Sequence, residues 1–286
     1  MTVQEAHILT TENLKHLYPD SEAAAISDWL LEWLTGWSKS ERGMHRDLQL
    51  SDEQNKTLND SIKRLLKNEP VQYVTNSSWF CGLCFYVNDQ VLIPRPETEE
   101  LVEWVISHCR FPYQSLSILD IGTGRGCIPV SLKKRLYKAD IHAVDISANA
   151  LAVAQKNSTD LGLPVQFHQL NILSAEERDS LGVFDFIISN PPYIPAQEKV
   201  NMEANVTEFE PSLALFVPDN DPLIFYRAIA EMGKTHLKDT GHIMVEMHAI
   251  LATACQQLFQ QYGYATEIKQ DMQGKERMLR AWKLLI

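Results

Sequence analysis

Ser117-Ile-Leu-Asp-Ile-Gly-Thr-Gly-Arg-Gly126 is the stretch on which the fold turns. Residues 117–121 are a short apolar run that reads as a buried strand, and the glycines after it mark a sharp turn into a helix expected at 127–137. Without side chains at 122, 124 and 126, the backbone of Gly122, Thr123, Gly124, Arg125 and Gly126 can bend tightly and approach a ligand closely. The spacing is GxGxG. A GxGxxG loop aims a helix N-terminus at a pyrophosphate, so the shorter loop suits a nucleoside ligand without phosphate, such as the amino-acid and sulfonium portion of S-adenosylmethionine. Taken alone, the loop is equally compatible with a plain tight turn.

Outward from this turn, strands and helices alternate. Asp140–Val144, Val165–Gln169, Phe184–Ile188 and Gly241–Glu246 read as strands, and 148–160 and 221–236 as helices. Such alternation builds a mainly parallel α/β sheet covered by helices on both faces. Upstream, a helix is expected from Glu97 to about His108. Before it, Trp79-Phe80 and Leu83–Val87 read as short strands, with Asn88-Asp89 as a turn and Val91–Ile93 as the returning strand. The first 70 or so residues carry helical periodicity instead. Ile26, Trp29, Leu30 and Trp33 share one face with Gly36 as the stop, and Ser51-Asp-Glu-Gln54 is a capping box ahead of Leu58, Ile62, Leu65 and Leu66. The expected organisation is a helical bundle over 1–75, a β-hairpin linker over 76–93 and an α/β domain over 94–286.

Three further positions carry chemistry. Asp145 ends the next strand, nineteen residues after Gly126, where an acidic side chain can accept hydrogen bonds from two ribose hydroxyls. The alternative is a cap on the helix that starts near Ser147. Asn171 and Ile172, after the third strand, are placed to touch an adenine ring, though an Asn there also suits plain turn chemistry. Asn190-Pro-Pro-Tyr193 directly follows the strand Phe184–Ile188. Pro191 and Pro192 remove two N–H donors and leave carbonyl acceptors, and Asn190 adds a side-chain carbonyl. Two acceptors can grip both hydrogens of one NH2 group and hold a conjugated nitrogen in line for methyl transfer. Tyr193 offers a flat face for a planar amide or base.

Composition narrows the partners. With 26 basic against 37 acidic residues the net charge is −11, which disfavours a nucleic-acid surface. No run approaches the roughly 18 apolar residues of a membrane span, and charges interrupt the N-terminus, so a soluble cytoplasmic protein that binds no membrane is expected. Cys81, Cys84, Cys109, Cys127 and Cys255 show no regular spacing, as expected of reduced thiols, and the lone CxxC at Cys81–Cys84 does not predict a metal site.

The chain resembles the bacterial peptide chain release factor glutamine methyltransferases of the HemK/PrmC family over nearly its whole length. The resemblance rests on Asp120–Gly126, Asn190–Tyr193, Glu69-Pro-Val-Gln-Tyr73, Phe80-Cys-Gly82 and Val91-Leu-Ile-Pro-Arg-Pro-Glu-Thr-Glu99. It also rests on Asp145-Ile-Ser with Asn157, Phe209-Glu-Pro211 with Ala214-Leu215, and Asp271 with Gly274 and Arg277. It implies a small N-terminal helical domain that recognises the substrate protein, a hairpin linker and a seven-stranded, Rossmann-like class I methyltransferase domain. The implied reaction methylates the glutamine of a Gly-Gly-Gln loop in release factors, with S-adenosylmethionine as cofactor and S-adenosylhomocysteine as product, and a monomer is expected. Gly122–Gly126, Asp145, Asn171, Ile172 and Asn190 would hold the cofactor, Asn190 and Pro191 with Tyr193 would act on the substrate, and Pro192 would bind it. Pro94, Arg95 and Glu97 lie in the substrate-side signature, where the charges also suit a structural ion pair. Arg125, Asn171-Ile-Leu173 and His248 depart from the family pattern. The same NPPY motif serves enzymes that methylate adenine N6 in nucleic acids, a rival disfavoured by the charge. A scaffold that kept the fold, and a nicotinamide-dependent dehydrogenase, are more distant rivals.

Overall fold

Thr2 with Glu5, Ser38 with Glu41 and Ser51 with Gln54 form reciprocal capping boxes that start helices in the N-terminal part of the chain. In each, one side chain accepts from a helix N–H while the other accepts from the cap, so two orphan donors are satisfied together. The computed structural model describes residues 1–109 and 115–284. Helices Val3–Leu14, Asp20–Thr35, Lys39–Met44, Asp52–Leu65 and Val71–Val74 pack around Ala6, Leu14, Leu30, Leu31, Leu58 and Leu65. Gly36, at φ 72°, stops the second of them. The stripe expected on that helix is rotated: Ala23, Ser27, Leu30 and Leu31 are buried, Ile26 and Trp29 pack at the margin, and Trp33 is 43% exposed. These helices form one compact unit, Met1–Ser77 together with Glu203–Phe209; Ser78–Met202 and Glu210–Ile286 form the other. Among the described residues no helix is long and apolar enough to cross a membrane.

The second unit begins at a β-ribbon of β1 (Ser77–Phe80) and β2 (Leu83–Tyr86). Its two-residue turn is Cys81-Gly82, both at positive φ (48° and 67°), the backbone that matches the twist of a tight hairpin. This corrects the expected hairpin, in which Asn88-Asp89 turned and Val91–Ile93 returned. Val91–Ile93 forms no strand because side chains satisfy its backbone: Ile93 N donates to Glu210 Oε2 at 3.4 Å and the Leu92 carbonyl accepts from Arg125.

The alternation downstream gives strands β3 (Ser117–Ile121), β4 (Asp140–Asp145), β5 (Gln166–Gln169) and β6 (Phe184–Ser189). A short pair follows, β7 (Ile194–Pro195) and β8 (Phe216–Val217), and then β9 (Leu237–Glu246), β10 (Tyr264–Gln270) and β11 (Glu276–Lys283). Seven of them make one sheet in the order β10-β11-β9-β6-β3-β4-β5, parallel except for β11, which runs against both neighbours. The central strands β3 and β6 are almost wholly buried, as a parallel sheet covered on both faces requires. One core lies on each face: Ile187, Tyr226, Ile229 and Phe259 belong to one, and Leu101, Val105, Ile118 and Leu132 to the other. After β5 the chain crosses back to place β6 beside β3, so the strand order reverses between those two strands. The crevice at their carboxyl ends is where open α/β sheets bind ligands.

Candidate active site

A cavity of about 430 Å³ opens at that crevice, lined from the carboxyl ends of β3, β4, β5 and β6. The glycine loop forms its floor. Gly122, Gly124 and Gly126 have φ of 71°, 54° and 79°, and a Cβ on Gly126 would lie 3.1 Å from that of Ala154. Glycine is therefore required at 126 twice over, by backbone conformation and by the close approach of helix Ala148–Asp160. Arg125 also lines the cavity. Its guanidinium is buried and donates to the Leu92 carbonyl, and its own carbonyl accepts from Asn157 Nδ2 at 3.0 Å.

Asp145 lines the cavity, and its two oxygens accept from Gly124 N at 2.8 Å and Ser147 N at 2.9 Å. The cap of the following helix is Ser147, whose hydroxyl accepts from Ala150 N, so Asp145 is not the cap. A carboxylate can accept about four hydrogen bonds, which leaves capacity for ligand hydroxyls. Burial raises the Asp145 pKa, opposed by those backbone N–H donors. Beneath the loop, Asp120 is fully buried, and neither of its oxygens nor Thr123 Oγ1 has a hydrogen-bond partner among the described residues. Burial pushes Asp120 up to about 7, with Asp145 adding to the rise and the neighbouring Thr123 hydroxyl and Arg125 charge opposing it. Asn171 and Ile172 also line the cavity, and Asn171 Oδ1 accepts from Leu173 N at 3.0 Å, so its turn chemistry is present as well.

Asn190, Pro191 and Pro192 form the opposite wall. Asn190 Nδ2 donates to Thr98 Oγ1 at 3.0 Å, and Thr98 in turn donates to Glu246 Oε2 at 2.7 Å. Tyr193 does not line the cavity; its hydroxyl donates to the other oxygen of Glu246 at 3.3 Å. The structure therefore brings Asn190, Pro191 and Pro192 together with the glycine loop and sets Tyr193 behind them. Of the upstream signature, Arg95 lines the cavity and Glu97 does not. The ion pair of Arg95 is with buried Glu210, at 2.7 and 2.9 Å, and not with Glu97. His248 is a half-buried neighbour of the Tyr193 ring, 5.9 Å between centroids, and caps the short turn Ala249–Leu251. Thr98, Glu210 and Glu246 are the polar residues around the site that sequence reasoning missed. Thr98 and Glu210 lie within the quoted signature stretches, but their partners are 92 to 148 residues away in the chain.

The sheet order, the glycine loop at the strand reversal and the amide-bearing Asn-Pro-Pro turn beside it define a Rossmann-like methyltransferase domain of class I. The sequence profile of the methyltransferase small domain matches residues 101–209, and that of the PrmC N-terminal domain matches residues 5–75. A release factor glutamine methyltransferase of Flavobacterium psychrophilum is 38% identical over 98% of this chain and 99% of its own length, and one of Bacteroides thetaiotaomicron is 40% identical over 94% and 96%. The chain belongs to the release factor glutamine methyltransferase family. A methyltransferase of Pyrococcus furiosus shares the fold, with a TM-score of 0.53 at 16% identity over 79% of this chain and 99% of that one.

Proposed function

We propose that the enzyme transfers a methyl group from S-adenosylmethionine to the side-chain amide nitrogen of the glutamine in a Gly-Gly-Gln loop of release factors. The observation that carries this reading is the fixed amide of Asn190. With Nδ2 bound to Thr98, the group left to meet a ligand is the acceptor Oδ1, next to the proline carbonyl of a segment stripped of N–H donors.

The cavity suits the cofactor. Asp145 puts a carboxyl group in the cavity beside the glycine loop, a setting that disfavours a pyrophosphate and suits a cation, and it can accept from ribose hydroxyls. Gly122–Gly126 and Asp145 would hold the nucleoside and amino-acid parts, with Asn171 and Ile172 beside the base. When bound, S-adenosylmethionine supplies an electrophilic methyl on a sulfonium. The remaining work belongs to the chain. Asn190 Oδ1 and the Pro191 carbonyl accept the two N–H bonds of the substrate amide and hold its nitrogen in line, and the same acceptors stabilise the positive charge that develops there. That nitrogen can lose its proton after transfer, so no dedicated base is needed.

In Asn190→Ala, kcat on a Gly-Gly-Gln peptide should fall by about 10² or more, the usual cost of losing a positioning hydrogen bond in a desolvated site. Cofactor affinity by calorimetry should stay within a few-fold. Turnover at the wild-type rate would remove Asn190 from the mechanism.

A further inference from the structure

An asparagine amide is nearly symmetric in shape, and a half-turn about its last bond exchanges an acceptor for a donor at almost no steric cost. For Asn190 that half-turn would present NH2 to the substrate NH2, donor against donor. Something must choose the end that faces the cavity, and the structure shows a one-way chain that does so. It starts at Glu246, at the carboxyl end of β9, a carboxylate that when ionised can only accept. Thr98, in helix Pro96–Ser107, has one hydroxyl proton, and it goes to Glu246 at 2.7 Å. The Thr98 oxygen can then only accept, and what it accepts is Asn190 Nδ2 at 3.0 Å. Oδ1 is left at the far end. Thr98 is 2% and Glu246 1% exposed, so no bulk water competes for either link.

We propose that Glu246, acting through the Thr98 hydroxyl, is the positioning residue that sets the orientation of the Asn190 amide. The second oxygen of Glu246 accepts from Tyr193 at 3.3 Å, so both ends of the Asn-Pro-Pro-Tyr turn are referred to one carboxylate. This inference rests on the function proposed above for Asn190. Burial pushes Glu246 up to about 6, while the Thr98 hydroxyl, Arg277 from β11 and the Tyr193 phenol favour its ionised form and Glu97 from the Thr98 helix opposes it. Tyr226, from helix Ile224–His236, donates to the Glu246 backbone carbonyl at 3.1 Å. Protonation of Glu246 would offer Thr98 a donor in place of an acceptor and reverse the chain.

The test uses the full-length enzyme, a Gly-Gly-Gln peptide and labelled S-adenosylmethionine. Thr98→Val keeps the shape and removes the relay; it should lower kcat by roughly 10–10² with KM and cofactor affinity within a few-fold. Thr98→Ser should rescue most of that loss, and Glu246→Gln, which cannot accept at both oxygens, should also lower kcat. Because the relay acts only through Asn190, Thr98→Val placed on Asn190→Ala should cost less than about two-fold more. Thr98→Val at full kcat while Asn190→Ala is inactive, or losses that multiply in the double variant, would overturn the relay and leave the role of Asn190 standing. Full turnover in Asn190→Ala would instead sink the proposed function, and the relay with it.

Discussion

Asp120 is a carboxyl group sealed under the glycine loop, and its raised pKa has a stability consequence with a definite sign. Its value in the fold is about 7 against an ordinary 3.8, so as pH rises the unfolded chain releases the proton first. The folded state is therefore penalised progressively between those values and by a constant amount above about 7. Asp120→Asn removes the charge at nearly constant shape. Without ligand, its melting temperature should exceed that of wild type at pH 8, by several degrees for a gain on the order of a few kcal/mol. The difference should shrink towards zero near pH 4. A difference that does not change with pH would mean that the carboxylate is stabilised by groups other than those described. Asp145 and Asn190 were legible in sequence because one ends and the other directly follows an apolar strand, whereas Asp120, inside β3, stood in the glycine motif without a role. What was not legible was their wiring. Thr98 is one hydroxyl residue among several in its signature, and only folding brings it between Asn190 and Glu246, 92 and 148 residues away.

At the scale of elements, the glycine loop depends on a helix and a hairpin that do not touch the ligand cavity through the residue that joins them. Asn157, 2% exposed in helix Ala148–Asp160, accepts from Tyr86 N at 2.7 Å and donates to the carbonyls of Tyr86 and Arg125, each at 3.0 Å. It ties β2 to the glycine loop. Asn157→Ala should destabilise the protein by about 2–4 kcal/mol, since three backbone groups lose a buried partner. It should also weaken cofactor binding roughly ten-fold, the equivalent of about 1.4 kcal/mol, by loosening the loop. Melting curves and calorimetry would check both, and an unchanged affinity would show that the loop holds its shape without the staple. Five strands of the large sheet, β3, β4, β5, β6 and β9, were readable in sequence, and β3 and β6 most plainly, because they are buried on both faces, where parallel pairing demands continuous apolar runs. β10 and β11 escaped because they mix charged and apolar residues, with Arg280 paired to Glu267 across the ladder, a pattern shared with exposed loops. The hairpin was misplaced by one turn because Cys81 adopts a positive φ that a non-glycine residue seldom does, which hid the true turn.

At the scale of the whole molecule, the proposed function divides the labour between the two units. Every residue assigned to the cofactor follows Gly122 in a unit that begins at Ser78. A chain starting at Ser78 should therefore bind S-adenosylmethionine with affinity within a few-fold of the full protein. Selecting one glutamine among all those in a cell needs a protein interface on the order of 800 Å² per side, and we propose that the helical unit supplies it. The shortened chain should lose activity on intact release factor through a rise in KM, and much less on a Gly-Gly-Gln peptide. Equal activity on both would make the helical unit a stabiliser only. Purified release factor, the full-length enzyme and labelled S-adenosylmethionine, followed by mass-spectrometric mapping, should yield one methyl group on the side-chain nitrogen of the Gly-Gly-Gln glutamine. Label on any other residue, or transfer to adenine in added nucleic acid with the release factor unmodified, would contradict the proposed function.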